Sequence, residues 1–205
     1  MYGNWRLVNG IELYNTKYDP GQKNNIINEN KDIANEMQKF YDDWWEDASK
    51  EFKYSYIDIL PNITNTITAH DVQVNSITAW DQSVIRKGIP YELGKFNVDF
   101  KKSGEYKITL RRWPKESNLN LRDSIDDYIP AKKYWDQQLS GKSMNIVSAF
   151  IKIGDKEYKV DLSDNFKSAS INIDINSGKT SLEPGFILDN GQTSIAFYTD
   201  IDFLF

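Results

Sequence analysis

Three short stretches hold side chains able to do chemistry. His70-Asp71 joins an imidazole to a carboxylate, the make-up of a general base and its orienter. Neighbours along an extended strand point to opposite faces, so the two cannot readily hydrogen-bond. A surface or interface histidine is the simpler reading. Trp80, Asp81, Gln82, Ser83 and Arg86 form a second cluster. An indole stacks on sugar C–H faces while amide and charged tips bond hydroxyls. The alternative is a buried tryptophan with polar groups at an interdomain seam. The third stretch is Arg111-Arg112-Trp113-Pro114 with Glu116. Adjacent arginines on one strand face opposite ways, so one turns to the core side and needs a partner such as Glu116. A guanidinium left free there is an anion site. His70, Trp80, Gln82, Arg86 and Arg112 are thus the candidate binding residues. No catalytic or metal-binding residue is expected. Asp123, Asp126 and Asp127 lack the spacing of a calcium loop, and the chain has one histidine and no cysteine.

The chain that must position these groups has 205 residues, 40% of them apolar, with 6 Trp, 12 Tyr and 10 Phe, enough to fill a core. Its net charge of −5 and pI near 5.0 argue against a nucleic-acid partner, which needs a basic face. No window approaches the apolar length of a membrane span. Residues 1–5 carry neither a charged nor an apolar leader region, so no signal peptide is expected. The absence of cysteine excludes disulfides and leaves the compartment open.

Asn9-Gly10 between WRLV and IELY predicts a type I′ hairpin. Asp19-Pro20-Gly21 predicts a turn, with the glycine free to go left-handed. Asn30 is the expected N-cap of a helix to about Ala48, with Ile33, Met37, Phe40 and Trp44 on one apolar stripe. Trp44-Trp45 is expected to be core or a domain-packing surface, and Phe40 and Trp44, if buried, would each cost about 3–5 kcal/mol to truncate to alanine. Residues 54–60, 64–70 and 72–80 are strand candidates. Phe96, Val98 and Phe100 alternate before a KKSG turn, and Tyr106, Ile108 and Leu110 alternate after it, which predicts an antiparallel hairpin. Residues 117–143 are polar, with one short helix possible over 130–141. Strand-and-turn alternation then runs to the end of the chain. The fold class is α+β. A hairpin-plus-helix unit over residues 1–53 precedes an antiparallel, jelly-roll-like β-sandwich over residues 54–205.

The phrase built from Trp5-Arg6-Leu7, Glu12-Leu13-Tyr14-Asn15, Asp19-Pro20-Gly21-Gln22 and Asn25-Ile26 resembles the small C-terminal subdomain of arylsulfatase-type sulfatases. Later phrases resemble the β-sandwich that follows that subdomain in certain bacterial members: TAHD at 68–71, WDQSVIRKG at 80–88, GEYKITLRRWPKE at 104–116, AFIKIG at 149–154, and 178–191. Phe150, Lys152 and residues 140–145 depart from the pattern. The resemblance implies that this chain is a C-terminal, non-catalytic fragment of a sulfuric ester hydrolase. It would pack on an N-terminal catalytic domain and shape its cleft. The calcium ion, the formylglycine from a C/S-x-P-x-R motif and the sulfate-binding residues would belong to that missing domain; no such motif occurs here. The implied ligand is a sulfated carbohydrate or aryl sulfate, and the implied location is periplasmic or secreted. A severed hairpin would leave an open edge through which the chain self-associates. The alternatives are a carbohydrate-binding module and an interaction-only sandwich.

Overall fold

The computed structural model describes residues 1–74, 79, 82–127, 140–163 and 165–205. They form two compact units, residues 1–55 and 56–205.

The first unit is a hairpin and a helix. Strands β1 (Trp5–Val8) and β2 (Glu12–Asn15) pair antiparallel, and Asn9 (φ 52°) and Gly10 (φ 73°) take the left-handed turn their types predict. In the following turn it is Gln22 (φ 51°), not Gly21, that is left-handed. The turn is held by the Asp19 carboxylate, which accepts from Lys23 N and Asn24 N, both at 2.8 Å. These backbone donors, Asn24 first, hold the Asp19 carboxyl below its ordinary value. Asn25 fastens this loop to the hairpin: its Oδ1 accepts from Leu13 N at 3.0 Å and Ile27 N at 3.1 Å.

Helix α1 (Lys31–Ser49) starts after Asn30, whose side chain donates back to the Ile26 carbonyl rather than capping the helix. The helix buries Ala34, with Ile33 and Met37 half-buried. Its later turns are not core: Phe40 is 75% and Trp44 53% exposed, which leaves the surface reading for Trp44-Trp45. Periodicity fixes a stripe but not its cover, and here the stripe outruns the four-residue strands beneath it. Tyr41, Trp44, Trp45 and Phe52 contact one another instead, with ring centroids 5.4–6.2 Å apart. A single-turn 3₁₀ segment (Lys50–Tyr54) follows.

The second unit is two facing sheets. One contains β3 (Ile57–Ile59), β5 (Phe96–Phe100), β10 (Gly178–Leu188), β7 (Ile146–Ile153) and β8 (Lys156–Asp161) in that order. β11 (Thr193–Ile195) pairs with β10 beyond the end of β5. The other contains β4 (Asn65–Thr68), β12 (Tyr198–Phe203), β6 (Gly104–Arg111) and β9 (Ala169–Ile175). All pairings are antiparallel except β3 with β5. Inward rows such as Phe96, Val98 and Phe100 from one sheet and Tyr106, Ile108 and Leu110 from the other meet in one core.

Those two rows do not form the expected hairpin. β5 lies in the first sheet and β6 in the second, so the KKSG turn carries the chain across the sandwich. Alternation tells which face a residue takes and not which strand is its neighbour. Phe100 and Tyr106 still meet, edge to face at 5.0 Å, from opposite sheets. Gly104 (φ 150°) sits at this crossing, where a Cβ would collide with the Phe205 carbonyl. Short helical segments interrupt the β pattern: 3₁₀ turns at Ala69–Asp71 and Lys115–Ser117, and α2 (Gln82–Arg86). The helix expected over 130–141 and much of the strand expected over 72–80 fall outside the described residues. Gln73 does bridge to Lys95.

Candidate functional site

Strand alternation gives the four-stranded sheet one apolar and one polar face. Along β12, Thr199, Ile201 and Phe203 alternate with Tyr198, Asp200 and Asp202. Register places Tyr198 between Thr68 and Arg111, and Asp200 between Thr66 and Thr109. The outward groups interlock. Arg111 forms an ion pair with Asp200. Thr66 Oγ1 donates to Asp200 Oδ1 at 2.8 Å. Thr64 Oγ1 donates to Asp202 at 2.5 Å, and Thr68 Oγ1 to Asp71 at 2.9 Å.

These residues floor an open trough of about 390 Å³, lined by Thr64, Thr66, Thr68, Arg111, Tyr198 and Asp200. Pro114, Lys115 and Glu116, just after β6, complete the lining. Burial, and after it the Glu116 carboxylate, push the Tyr198 phenol up, so it stays a neutral hydroxyl. The trough therefore offers a fixed carboxylate, a fixed guanidinium, threonine oxygens and one aromatic ring. That set can hydrogen-bond hydroxyl groups. Among the described residues, no group of three or more His, Asp or Glu side chains could hold a metal ion.

A second hollow, also about 390 Å³, is lined by Asn120, Arg122, Asp123 and Phe166 among others. Two of its charged groups are engaged with the backbone. Asp123 accepts from Asn120 N at 2.8 Å, and Arg122 Nε donates to the Ile146 carbonyl at 2.6 Å.

The residues singled out by type have other places. His70 is exposed on the Ala69–Asp71 turn. Asp71 does not orient it, because that carboxylate accepts from Thr68 N and Thr68 Oγ1 in a capping box. Gln82 is exposed at the start of α2, and Trp80 and Asp81 lie outside the described residues. Arg86 is buried, and its Nη1 donates to the Asp126 carbonyl at 3.2 Å.

Arg112 has no exposed surface. It continues the inward row of Tyr106, Ile108 and Leu110, one position past β6. Its partner is not Glu116. Nη1 donates to the carbonyls of Asp123 at 3.2 Å and Leu121 at 3.5 Å, and Nη2 to those of Ile85 at 3.2 Å and Lys142 at 2.5 Å. The guanidinium lies 4.4 Å from the Trp113 ring. Burial pushes its pKa down to about 10, against the pull of Asp123, so it remains charged at neutral pH. Arg112 thus joins α2, the 121–123 loop and the 142 loop, and it is not open to an anion. Structure brings Arg86 and Arg112 to this one end of the sandwich and uses both to satisfy backbone carbonyls.

Arg111, Pro114 and Glu116 belong to the third stretch singled out by type, but Thr64, Thr66, Thr68, Tyr198 and Asp200 were missed because none of them is unusual and they are drawn from segments far apart in sequence. The available signal was period-2 polarity: Thr64, Thr66, Thr68 and Tyr198, Asp200, Asp202 each mark a polar strand face.

Neither a protein-family model nor a curated protein sequence matches this chain. Among solved structures, the chain is similar to a ruminal GH26 endo-beta-1,4-mannanase, at 13% identity and a TM-score of 0.37 over 74% of this chain and 27% of the mannanase. The chain thus spans little more than a quarter of that enzyme's length, and a likeness this loose fixes neither fold nor function. Among the described residues, no helix is long and apolar enough to cross a membrane.

Proposed function

We propose that this chain is the C-terminal, non-catalytic region of an arylsulfatase-type sulfuric ester hydrolase, packing on the catalytic domain and shaping its cleft. The observation that carries the reading is that the residues of the family-like phrase act together. Tyr14 donates to Glu12 at 2.9 Å, Asp19 closes the turn, and Asn25 ties the loop to Leu13. A phrase in which Glu12, Tyr14, Asn15, Asp19 and Asn25 all make local side-chain hydrogen bonds behaves as a folding unit rather than a chance string. The exposed cluster of Tyr41, Trp44, Trp45 and Phe52 supports the packing role, since aromatic patches of this kind mark interaction surfaces.

In this reading the sulfate chemistry, with its calcium ion and formylglycine, belongs to the catalytic domain. The donor set here does not fit it, for want of C/S-x-P-x-R in the sequence and of a carboxylate cluster among the described residues. Location in the periplasm or outside the cell follows from the same family reading. Sequencing the native transcript upstream of Met1 tests it. An in-frame sulfatase domain bearing C/S-x-P-x-R is expected, whereas an in-frame stop codon with initiation at Met1 overturns it.

A second reading, a carbohydrate-binding sandwich without catalysis, is favoured by the polar trough on the four-stranded sheet.

A further inference from the structure

We infer that the trough over β4, β12 and β6 binds an uncharged saccharide, with Asp200, Arg111 and Glu116 as its hydroxyl-binding groups. This deepens the binding-module reading and does not depend on what lies upstream of Met1.

The first argument is pre-organisation. Asp200 is held by Thr66 on one oxygen and by Arg111 on the other. Both side chains lie well inside the surface, at 13% and 15% exposure. Each carboxylate oxygen keeps a lone pair, and the guanidinium keeps N–H groups beyond the one given to Asp200. A planar acceptor beside a planar donor, both already fixed, matches two neighbouring sugar hydroxyls at little entropic cost. The rim adds Glu116, which is exposed. Tyr198 adds an aromatic face against which sugar C–H groups can pack.

The second argument is charge, and it decides the class of sugar. Arg111 and Lys115 face Asp200 and Glu116, so the lining is balanced. The threonine hydroxyls at its edge are engaged by two further carboxylates, Asp71 and Asp202. A sulfate or uronate entering here meets more negative charge than positive, and the arginine it would need is already neutralised. Hydroxyl groups carry no such penalty. The ligand is therefore neutral, unlike the sulfated ligand that the family resemblance implies. The groove is open at the surface, which suits a segment of a chain rather than an enclosed monosaccharide.

The test is calorimetric titration of the full chain with cellohexaose, xylohexaose, mannohexaose and neoagarohexaose, and with neocarrahexaose as a sulfated galactan. At least one neutral hexasaccharide is expected to bind, and neocarrahexaose to bind more weakly than that one. Arg111→Ala and Glu116→Ala should each weaken binding by about tenfold, the usual worth of a charge-assisted hydrogen bond. Glu116 is exposed and outside the strands, so E116A keeps the test valid if R111A unfolds; thermal melts of each variant establish this. Absence of binding to all four neutral sugars overturns the proposal. So does tighter binding of neocarrahexaose, or unchanged affinity in folded E116A.

Discussion

Arg111 and Arg112 are neighbours in sequence and opposites in use. Arg111 ends β6 on the outer face, paired to Asp200 beside open solvent. Arg112 follows the inward parity, reaches no solvent and is surrounded by backbone carbonyls of three segments. The same side chain lines an open trough, the proposed binding site, in one place and closes loops in the other. The difference lies in strand parity and not in chemistry, so residue type alone cannot tell which of the two arginines reaches the surface.

The sharpest way to break this contrast is Arg112→Leu. It leaves buried carbonyls of Ile85, Leu121, Asp123 and Lys142 without their donor, and a loss of about 3–5 kcal/mol in urea melts is expected. A loss under about 1 kcal/mol would mean that the loops close without it. The pH dependence has a definite sign. Folding lowers the guanidinium pKa to about 10 from its ordinary value, so the folded state binds this proton less tightly than the unfolded chain. The destabilisation is complete below about pH 10 and lifts as pH rises through that value. R112L should lack that component in a comparison of melts at rising pH.

Arg111→Ala should cost about 1 kcal/mol or less, since a partly exposed ion pair contributes little. A cost near that of R112L would make it a structural group as well. Phe40→Ala extends the contrast to the first unit. With the ring 75% exposed, its loss should stay within about 0.5 kcal/mol. A cost of several kcal/mol would mean that a partner covers α1 in solution. The smallest effect is at Asp19, where backbone donors lower the carboxyl pKa. NMR titration should find it below an ordinary aspartate. Its contribution to the turn is present above the ordinary carboxylate value and fades as pH falls through the lowered one. An ordinary titration would remove the account of how the turn is held.

How much of this was legible in the sequence follows from what local pattern encodes. Asn9-Gly10 specified its turn because few residues accept positive φ there. The alternation of Phe96 to Phe100 and of Tyr106 to Leu110 specified faces, and hence a sandwich. The partner strands were not legible: β5 and β6 look like a hairpin and part company at Gly104, where the geometry of the crossing depends on the distant Phe205 carbonyl. The α1 stripe was legible as a stripe, but what covers Phe40 and Trp44 is a property of the surroundings. The trough was hidden for the same reason. Thr66, Arg111 and Asp200 become neighbours only when β12 inserts between β4 and β6.

That Arg111 faces a ligand while Arg112 holds the fold is tested most directly by the arginine Nε–H resonances of the full chain during titration with the tightest-binding neutral hexasaccharide. The Arg111 signal is expected to move to saturation while the Arg112 signal stays in place. Movement of the Arg112 signal with Arg111 unperturbed would contradict it, and would return the binding site to the end of the sandwich where Arg86 and Arg112 meet.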